Sequence, residues 1–373
     1  MTVVAPGKLA LIGEYAVVEG WPALVMAINR HVRLSPGPSS ESALVARARE
    51  AAAKWLEITL ARREYRADSG ALRRGGKKLG LGGSAAVTVA AVASVFHDAG
   101  REIEDREVRA EMWAVAHRVH NDFQGVEGSG LDIAAALFGG WLVMYRPSPG
   151  AAPRFEPYSA PRGLRWVFLW TGTSAHTASL LAAVGRFKRA DPVGYRRIID
   201  SMGETAAGLL DYGATPPADE APVALIDGVR RYGALMGELG RCCGVSIVDR
   251  RTQACLDWAR EAGGAAKPSG AGGGDVVLAV FPESAEVGGF LQTARDAGMV
   301  PLELEADDRG VHVAPFLNHP PHPGFGKRFG HNCGVTFTKS MLDVALLRLR
   351  SIWLVSLHLH PPHSPRSTDA VED

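Results

Sequence analysis

The chain has 373 residues, 46% hydrophobic and 22% charged, which is ample apolar material for a packed core and excludes general disorder. Its length suggests two or three domains. Lys and Arg number 41 against 40 Asp and Glu, so a net charge of +1 gives no global pull toward nucleic acid or an anionic membrane surface. Any site for a polyanion must therefore be local. The longest strongly apolar run, 85–96, is too short to span a bilayer, which needs about 20 residues. The N-terminus has no charged start followed by a long apolar region, so no secretory signal is expected. The four cysteines, Cys242, Cys243, Cys255 and Cys333, form no C-x-x-C pair, and reduced thiols in a cytoplasmic protein are the expectation.

In chain order, 2–4 and 9–12 read as short strands around a Pro6-Gly7 turn, and 23–28 as a further strand. Residues 35–40 read as a loop and 42–58 as a helix. A basic, glycine-rich loop, 77–83, leads into a helix over 84–97 that is apolar on all sides and so expected to be buried. Helical spacing of Val108, Met112, Val115, Ala116 and Val119 predicts a helix over 105–119. A short helix, 133–137, ends at Gly139-Gly140, and a strand follows over 141–145. Five prolines between Arg146 and Arg162 mark a candidate linker. Beyond it come a strand over 166–170, helices over 179–189, 194–212 and 221–240, and a strand over 276–281. From Phe316 the chain turns rich in Pro and His, and seven of the twelve histidines fall at or after His312. This tail is expected to be mobile and without a part in chemistry.

Four segments carry chemical meaning. Gly80-Leu81-Gly82-Gly83-Ser84-Ala85 places glycines, which allow close backbone approach, directly before a helix whose unpaired N–H groups and positive dipole end favour an anion. Phosphate is the natural occupant. Lys77 and Lys78 add charge just upstream, and Ser84 has a hydroxyl for a cap, a phosphate or Mg²⁺. The segment also fits the dinucleotide pattern G-x-G-x-x-A, but the residues before it, Arg73 to Lys78, are no buried strand. A Walker A sequence is absent. Lys8 follows a strand and Pro6-Gly7. Asp132 follows the glycine-rich segment Gln124 to Gly130 at a helix start, where an N-cap role is the plain alternative. Finally, Lys267 to Asp275 has glycine at 270, 272, 273 and 274, more than a hairpin requires, so close approach to a ligand is the better account.

Taken together and in this order, these segments resemble the GHMP kinase family, named for its galactokinase, homoserine kinase, mevalonate kinase and phosphomevalonate kinase members. The residues that carry the resemblance are Gly7-Lys8 with Gly13-Glu14-Tyr15, then Lys78 to Gly82, then Gln124-Gly125 ahead of Gly128-Ser129-Gly130 and Asp132, then Trp170-Thr171-Gly172, and Ser269 to Asp275. They span about three quarters of the chain.

The resemblance implies an α+β fold. An N-terminal domain of the ribosomal-protein-S5-like kind would cover 1–160, a C-terminal ferredoxin-like domain 163–315, and an atypical tail 316–373. It implies ATP and Mg²⁺, with Lys78, Gly80, Leu81, Gly82, Gly83, Ser84 and Ala85 on the nucleotide and Ser84 near the metal. Lys8 and Asp132 would be catalytic. Lys8, Ser129, Gly130, Ser269, Gly270, Ala271 and Gly272 would bind a small-molecule acceptor, phosphomevalonate first and mevalonate as the alternative. Neither nucleic acid nor membrane is an expected partner, and a monomer or homodimer is. His120, Arg146, Lys188 and Lys267 are further cations for a substrate phosphate. One departure stands out: Gly83 replaces the first serine of the usual G-L-G-S-S-A, which keeps a non-catalytic nucleotide-binding homologue as another alternative.

Overall fold

The computed structural model describes residues 1–314, apart from 39–41, 62, 126, 147–151 and 215–220. These residues lie in one compact unit, Met1–Leu317. The Pro/His-rich tail lies outside the described residues.

The first half opens with β1 (Thr2–Ile12), β2 (Ala23–Pro36) and α1 (Ala43–Leu56), then β3 (Tyr65–Asp68) and a hairpin of β4 (Arg73–Arg74) and β5 (Lys77–Lys78). Next come α2 (Gly83–Asp98), α3 (Arg106–Gln124), α4 (Leu131–Phe138), β6 (Trp141–Tyr145) and β7 (Arg154–Pro157). The second half holds β8 (Leu164–Trp170), α5 (Thr177–Ala190), α6 (Pro192–Ala214), α7 (Ala221–Cys243), α8 (Arg250–Glu261), β9 (Ala265–Pro268), β10 (Val276–Pro282), α9 (Gly288–Asp296), β11 (Val300–Leu302) and β12 (His312–Ala314).

One antiparallel sheet runs β12-β1-β2-β6-β7, with β3 paired to the far end of β2. β1 lies between β12 and β2 and is buried along nearly its whole length. The expected turn at Pro6-Gly7 is instead an irregularity inside this single strand: the register with β2 shifts between Pro6 and Gly7. A proline has no N–H for the ladder, and a bulge is where a strand accommodates one. α2 packs on β1 and β2 and is covered by α1 and α3, which explains its apolar character on all sides. The candidate linker is in part a strand, since β7 pairs with β6 from Leu142↔Pro157 to Tyr145↔Arg154.

The second sheet runs β11-β8-β10-β9, antiparallel throughout. Its chain order, a strand, helices, two strands, a helix and a strand, is the split βαβ arrangement of a ferredoxin-like fold. α7 and α8 cover β9, while Cys255, Ala259, Phe281 and Phe290 pack in a small apolar cluster on this sheet. The chain then returns to the first sheet. Asp307 N–H bonds Ala27 O at 3.0 Å, Gly140 N–H bonds Asp307 O at 2.6 Å, and β12 pairs with β1.

Candidate functional site

A cleft of about 1460 Å³ is lined by residues from all four chemically marked segments, including Lys8, Gly82, Ser84, Asp132, Gly270 and Asp275. Pockets for a single small ligand hold about 300–1,000 Å³, so this one has room for two.

The loop before α2 is anchored by two buried side chains, Leu79 and Leu81, with the glycines between and after them. Gly80 and Gly82 have φ of +77° and +74°, the left-handed region that a side chain disfavours. Gly82 is the N-cap and Gly83 the first helical residue, one position before the expected start at Ser84. The N–H groups of this first turn have no partner within the helix, and Gly83, Ser84 and Ala85 line the cleft, an arrangement that favours an anion. The Ser84 side chain does not cap the helix, and it lines the cleft.

Lys8 joins this loop to the strand beneath it. Its N–H donates to Leu81 O at 2.9 Å. A Cβ on Gly7 would lie 2.5 Å from that same carbonyl oxygen, so glycine is what permits the contact. A Cβ on Gly82 would lie 2.7 Å from Lys8 Cγ, and one on Gly270 3.7 Å from Lys8 Nζ. The ammonium therefore stands between the phosphate-type loop and the glycine loop after β9. It makes no ion pair with Asp132. Asp132 is also not the N-cap of α4. Gly130, at φ +78°, fills that position, and Asp132 sits in the first turn with Oδ1 accepting from Ile133 N–H at 3.0 Å. A carboxylate there is favoured by the positive helix end. Ser129 Oγ accepts from Leu131 N–H at 3.3 Å, and so shapes the same turn.

The loop Ser269 to Gly274 is tied to the N-terminal strand. Ser269 Oγ donates to Ala10 O at 2.9 Å, Tyr15 Oη donates to Ala271 O, and Gly270 N–H donates to Glu14 Oε1 at 3.1 Å. Gly272 presses on Ile247: a Cβ would sit 2.3 Å from its carbonyl oxygen. Lys267 is fully buried, and its Nζ donates to Glu14 Oε1 at 2.6 Å and Pro268 O at 2.7 Å. It is thus committed to a buried ion pair and is withdrawn from the cations that sequence offered for a substrate phosphate. Burial holds its ammonium below the usual lysine range, against the opposing pull of Glu14. Lys188 is likewise engaged, with Glu19.

Sequence reasoning missed several members of the site. Asp275 is one: its side chain lies against Gly80, where a Cβ would come within 2.2 Å, and its Oδ1 accepts from Ala175 N–H at 3.1 Å. Burial raises its carboxyl above the ordinary range, while that N–H, Lys8 and Lys78 oppose the shift. Its place at the end of the glycine run was the available signal. His117 is another: its ring Nε2 donates to Gly128 O at 2.8 Å, and Asn121 Oδ1 accepts from Gly128 N–H at 3.0 Å, which fixes the approach to Asp132 from α3. Burial keeps His117 below the usual imidazole range. The i, i+4 spacing of these two residues on one helix face was visible, but their target was not.

The family model described as GHMP kinases N terminal domain matches residues 76–140, and that described as GHMP kinases C terminal matches 225–297. A phosphomevalonate kinase of Streptomyces sp. (strain CL190) is 30% identical over 375 residues, an overlap of 82% of this chain and 97% of the relative. A mevalonate kinase of Thermococcus gammatolerans is 26% identical, over 83% of this chain and 97% of that one. Among solved structures, the Lin0012 protein of Listeria innocua superposes with a TM-score of 0.72 at 25% identity, covering 82% of this chain and 97% of its own. The phosphomevalonate kinase of Streptococcus pneumoniae, in complex with phosphomevalonate and AMPPNP, superposes with a TM-score of 0.70 at 18% identity, covering 82% and 99%. Phosphate-type loop, lysine, helix-borne aspartate and second glycine loop thus meet in one cleft on a shared architecture, and the chain belongs to the GHMP kinase family.

Proposed function

We propose that the protein transfers the γ-phosphoryl group of ATP to 5-phosphomevalonate, giving 5-diphosphomevalonate and ADP. The observation that carries this reading is Lys8, a cation without an ion pair among the described residues, held between Gly82 of one loop and Gly270 of the other. The likeness to the Streptomyces enzyme supports the choice of acceptor. ATP would lay its phosphates on Gly80 to Ala85, beside Lys78. The acceptor would lie toward Ser129, Gly130 and the loop from Ser269 to Gly272.

Transfer of this kind depends on positioning and on neutralising charge. An oxygen of the acceptor's phosphate attacks the γ-phosphorus as the bond to the β-phosphate oxygen breaks. Lys8 faces both groups and offsets their repulsion. A phosphate monoester is largely ionised at pH 7, its second pKa being about 6, so no base is needed to strip a proton. Asp132 then orients the acceptor. With an alcohol acceptor it would serve as base instead.

The residues at the loop fit Mg²⁺. Ser84 and Asp275 offer hard oxygen donors beside the phosphate position, and no group of three metal-ligating side chains exists among the described residues. Mg²⁺ is suited to such a site, since it keeps waters and phosphate oxygens in its shell. When bound it would neutralise charge on the nucleotide's phosphates. No helix among the described residues is long and apolar enough to cross a membrane, and we place the enzyme in the cytoplasm as a monomer or homodimer.

The test is ADP release with ATP and Mg²⁺ and, side by side, phosphomevalonate, mevalonate or homoserine. Turnover with phosphomevalonate is expected. Lys8→Met should lower kcat by about 10³-fold and Asp132→Asn by only about 10-fold with this acceptor. Turnover with mevalonate alone would move the assignment to an alcohol kinase. A rise in Tm on adding ATP without any turnover would mark a non-catalytic homologue.

A further inference from the structure

One charged group of the cleft has no part in the scheme above. Arg146 directly follows β6 and is only 5% exposed, and it lines the cleft with Lys8, His120, Gln124 and Asp132. Its Nε is buried and has no hydrogen-bond partner among the described residues. No carboxylate pairs with it there either. A guanidinium withdrawn from water and left without an anion is costly, and a fold retains such a group where a ligand completes it. The neighbours do not supply the missing charge: His120 is buried and meets Gln124 at 3.0 Å.

The register of the first sheet locates this cation. Lys8 lies opposite Ala27 on β2, whereas Met144, two residues before Arg146, lies opposite Ala23. At about 3.3 Å per residue, the Lys8 and Arg146 backbones are thus about 20 Å apart along the strands. Two long side chains reaching into one cleft from that separation can hold the two ends of a small dianion. Lys8 faces the phosphoryl-transfer end. The far end of the acceptor must present a second anion to Arg146.

We infer that Arg146 binds the carboxylate of the acceptor and is a specificity-determining residue of the cleft. The inference rests on the acceptor reading given above. The planar fork of arginine matches the two oxygens of a carboxylate, and a desolvated charge-assisted pair discriminates sharply against a neutral isostere. The neutral isostere leaves the guanidinium buried and unpaired, which is the penalty that generates specificity.

The experiment compares phosphomevalonate with its C1 carboxamide in the wild type, Arg146→Gln and Arg146→Lys, with Tm recorded for each. In the wild type the amide should have a KM about 10- to 100-fold higher. In Arg146→Gln the KM for phosphomevalonate should rise by about the same factor, the KM for ATP should hold, and the two acceptors should come within about threefold of each other. Arg146→Lys keeps the charge without the fork and should fall between, which preserves the test if the glutamine variant folds poorly. A wild type indifferent to the amide overturns the inference. So does an Arg146→Gln variant that keeps its discrimination against the amide but loses the preference for phosphomevalonate over mevalonate, since Arg146 would then read the phosphate. Should the wild type turn over mevalonate instead, the acceptor reading fails while the carboxylate comparison proceeds unchanged on mevalonate and its amide.

Discussion

Adjacent glycines at the loop before α2 have opposite physical standing. Gly82 has a left-handed φ, and a Cβ there would lie 2.7 Å from Lys8 Cγ. Gly83 has no such φ, and a Cβ would meet only Leu72 Cδ1 at 3.5 Å, an ordinary contact. The family's usual serine is thus sterically admissible at 83. Gly83→Ser should restore a hydroxyl beside the phosphates and lower the KM for ATP about fivefold, the worth of one ordinary hydrogen bond of about 1 kcal/mol. It should also raise Tm slightly, because glycine is a poor residue for a helix. Gly82→Ala should instead displace Lys8 and reduce kcat by about 100-fold, as misplacement of a reacting group does. Steady-state kinetics on the pair check both signs, and equal losses in the two variants would refute the distinction. The glycine-rich pattern was plain in the sequence. Which glycine is indispensable was not, because the answer depends on a lysine that arrives from a strand more than seventy positions earlier.

The loop after β9 owes its position to an ion pair in the layer beneath it. Glu14 Oε1 receives both Lys267 Nζ and Gly270 N–H, so one carboxylate oxygen joins the turn after β1 to the second glycine loop. Glu14 Oε2 is buried and has no hydrogen-bond partner, and Glu14 lines the cleft. Removing one partner leaves the other charge buried and alone. Lys267→Met should therefore cost about 3–5 kcal/mol in urea unfolding, and adding Glu14→Gln should recover part of it. A double variant less stable than Lys267→Met would show that the pair does not act as a unit. Sequence reading offered Lys267 as one candidate cation for a substrate phosphate, with a solvated surface position as the plain alternative. Its burial follows from β9, which that reading did not find. Ala265 to Pro268 is short and carries a lysine and a proline, poor signs of a strand, yet β9 is the edge of its sheet, where proline is tolerated. α8 and α9 were missed as well, being short and largely polar. α2, by contrast, was legible almost to the residue, since its unbroken small apolar run has no stable place except inside.

At the scale of the molecule, the chain closes on itself. The segment that ends the second half supplies the far edge strand of the first sheet: β12 pairs with β1, Asn29 N–H bonds Glu305 O at 2.9 Å, and His31 Nε2 meets Asp307 Oδ2 at 2.6 Å. Arg109 on α3 donates to Arg309 O at 2.8 Å and to Val311 O at 3.2 Å. A boundary drawn only by chain order, 1–160 and 163–315, hides this return. β1 bears Lys8 near its middle, so the strand that β12 covers is the strand that aims the Lys8 ammonium into the cleft. The relatives align over about four fifths of this chain and nearly all of themselves. A chain ended after residue 317 should keep kcat within about twofold, because every described residue that lines the cleft lies at or before Asp275. A chain ended after residue 304 should lose the edge strand, expose one side of β1 and forfeit both cooperative unfolding and turnover. Loss of activity in the longer of the two, with its melting transition intact, would assign the residues after 317 a role in chemistry and refute the expectation that they have none.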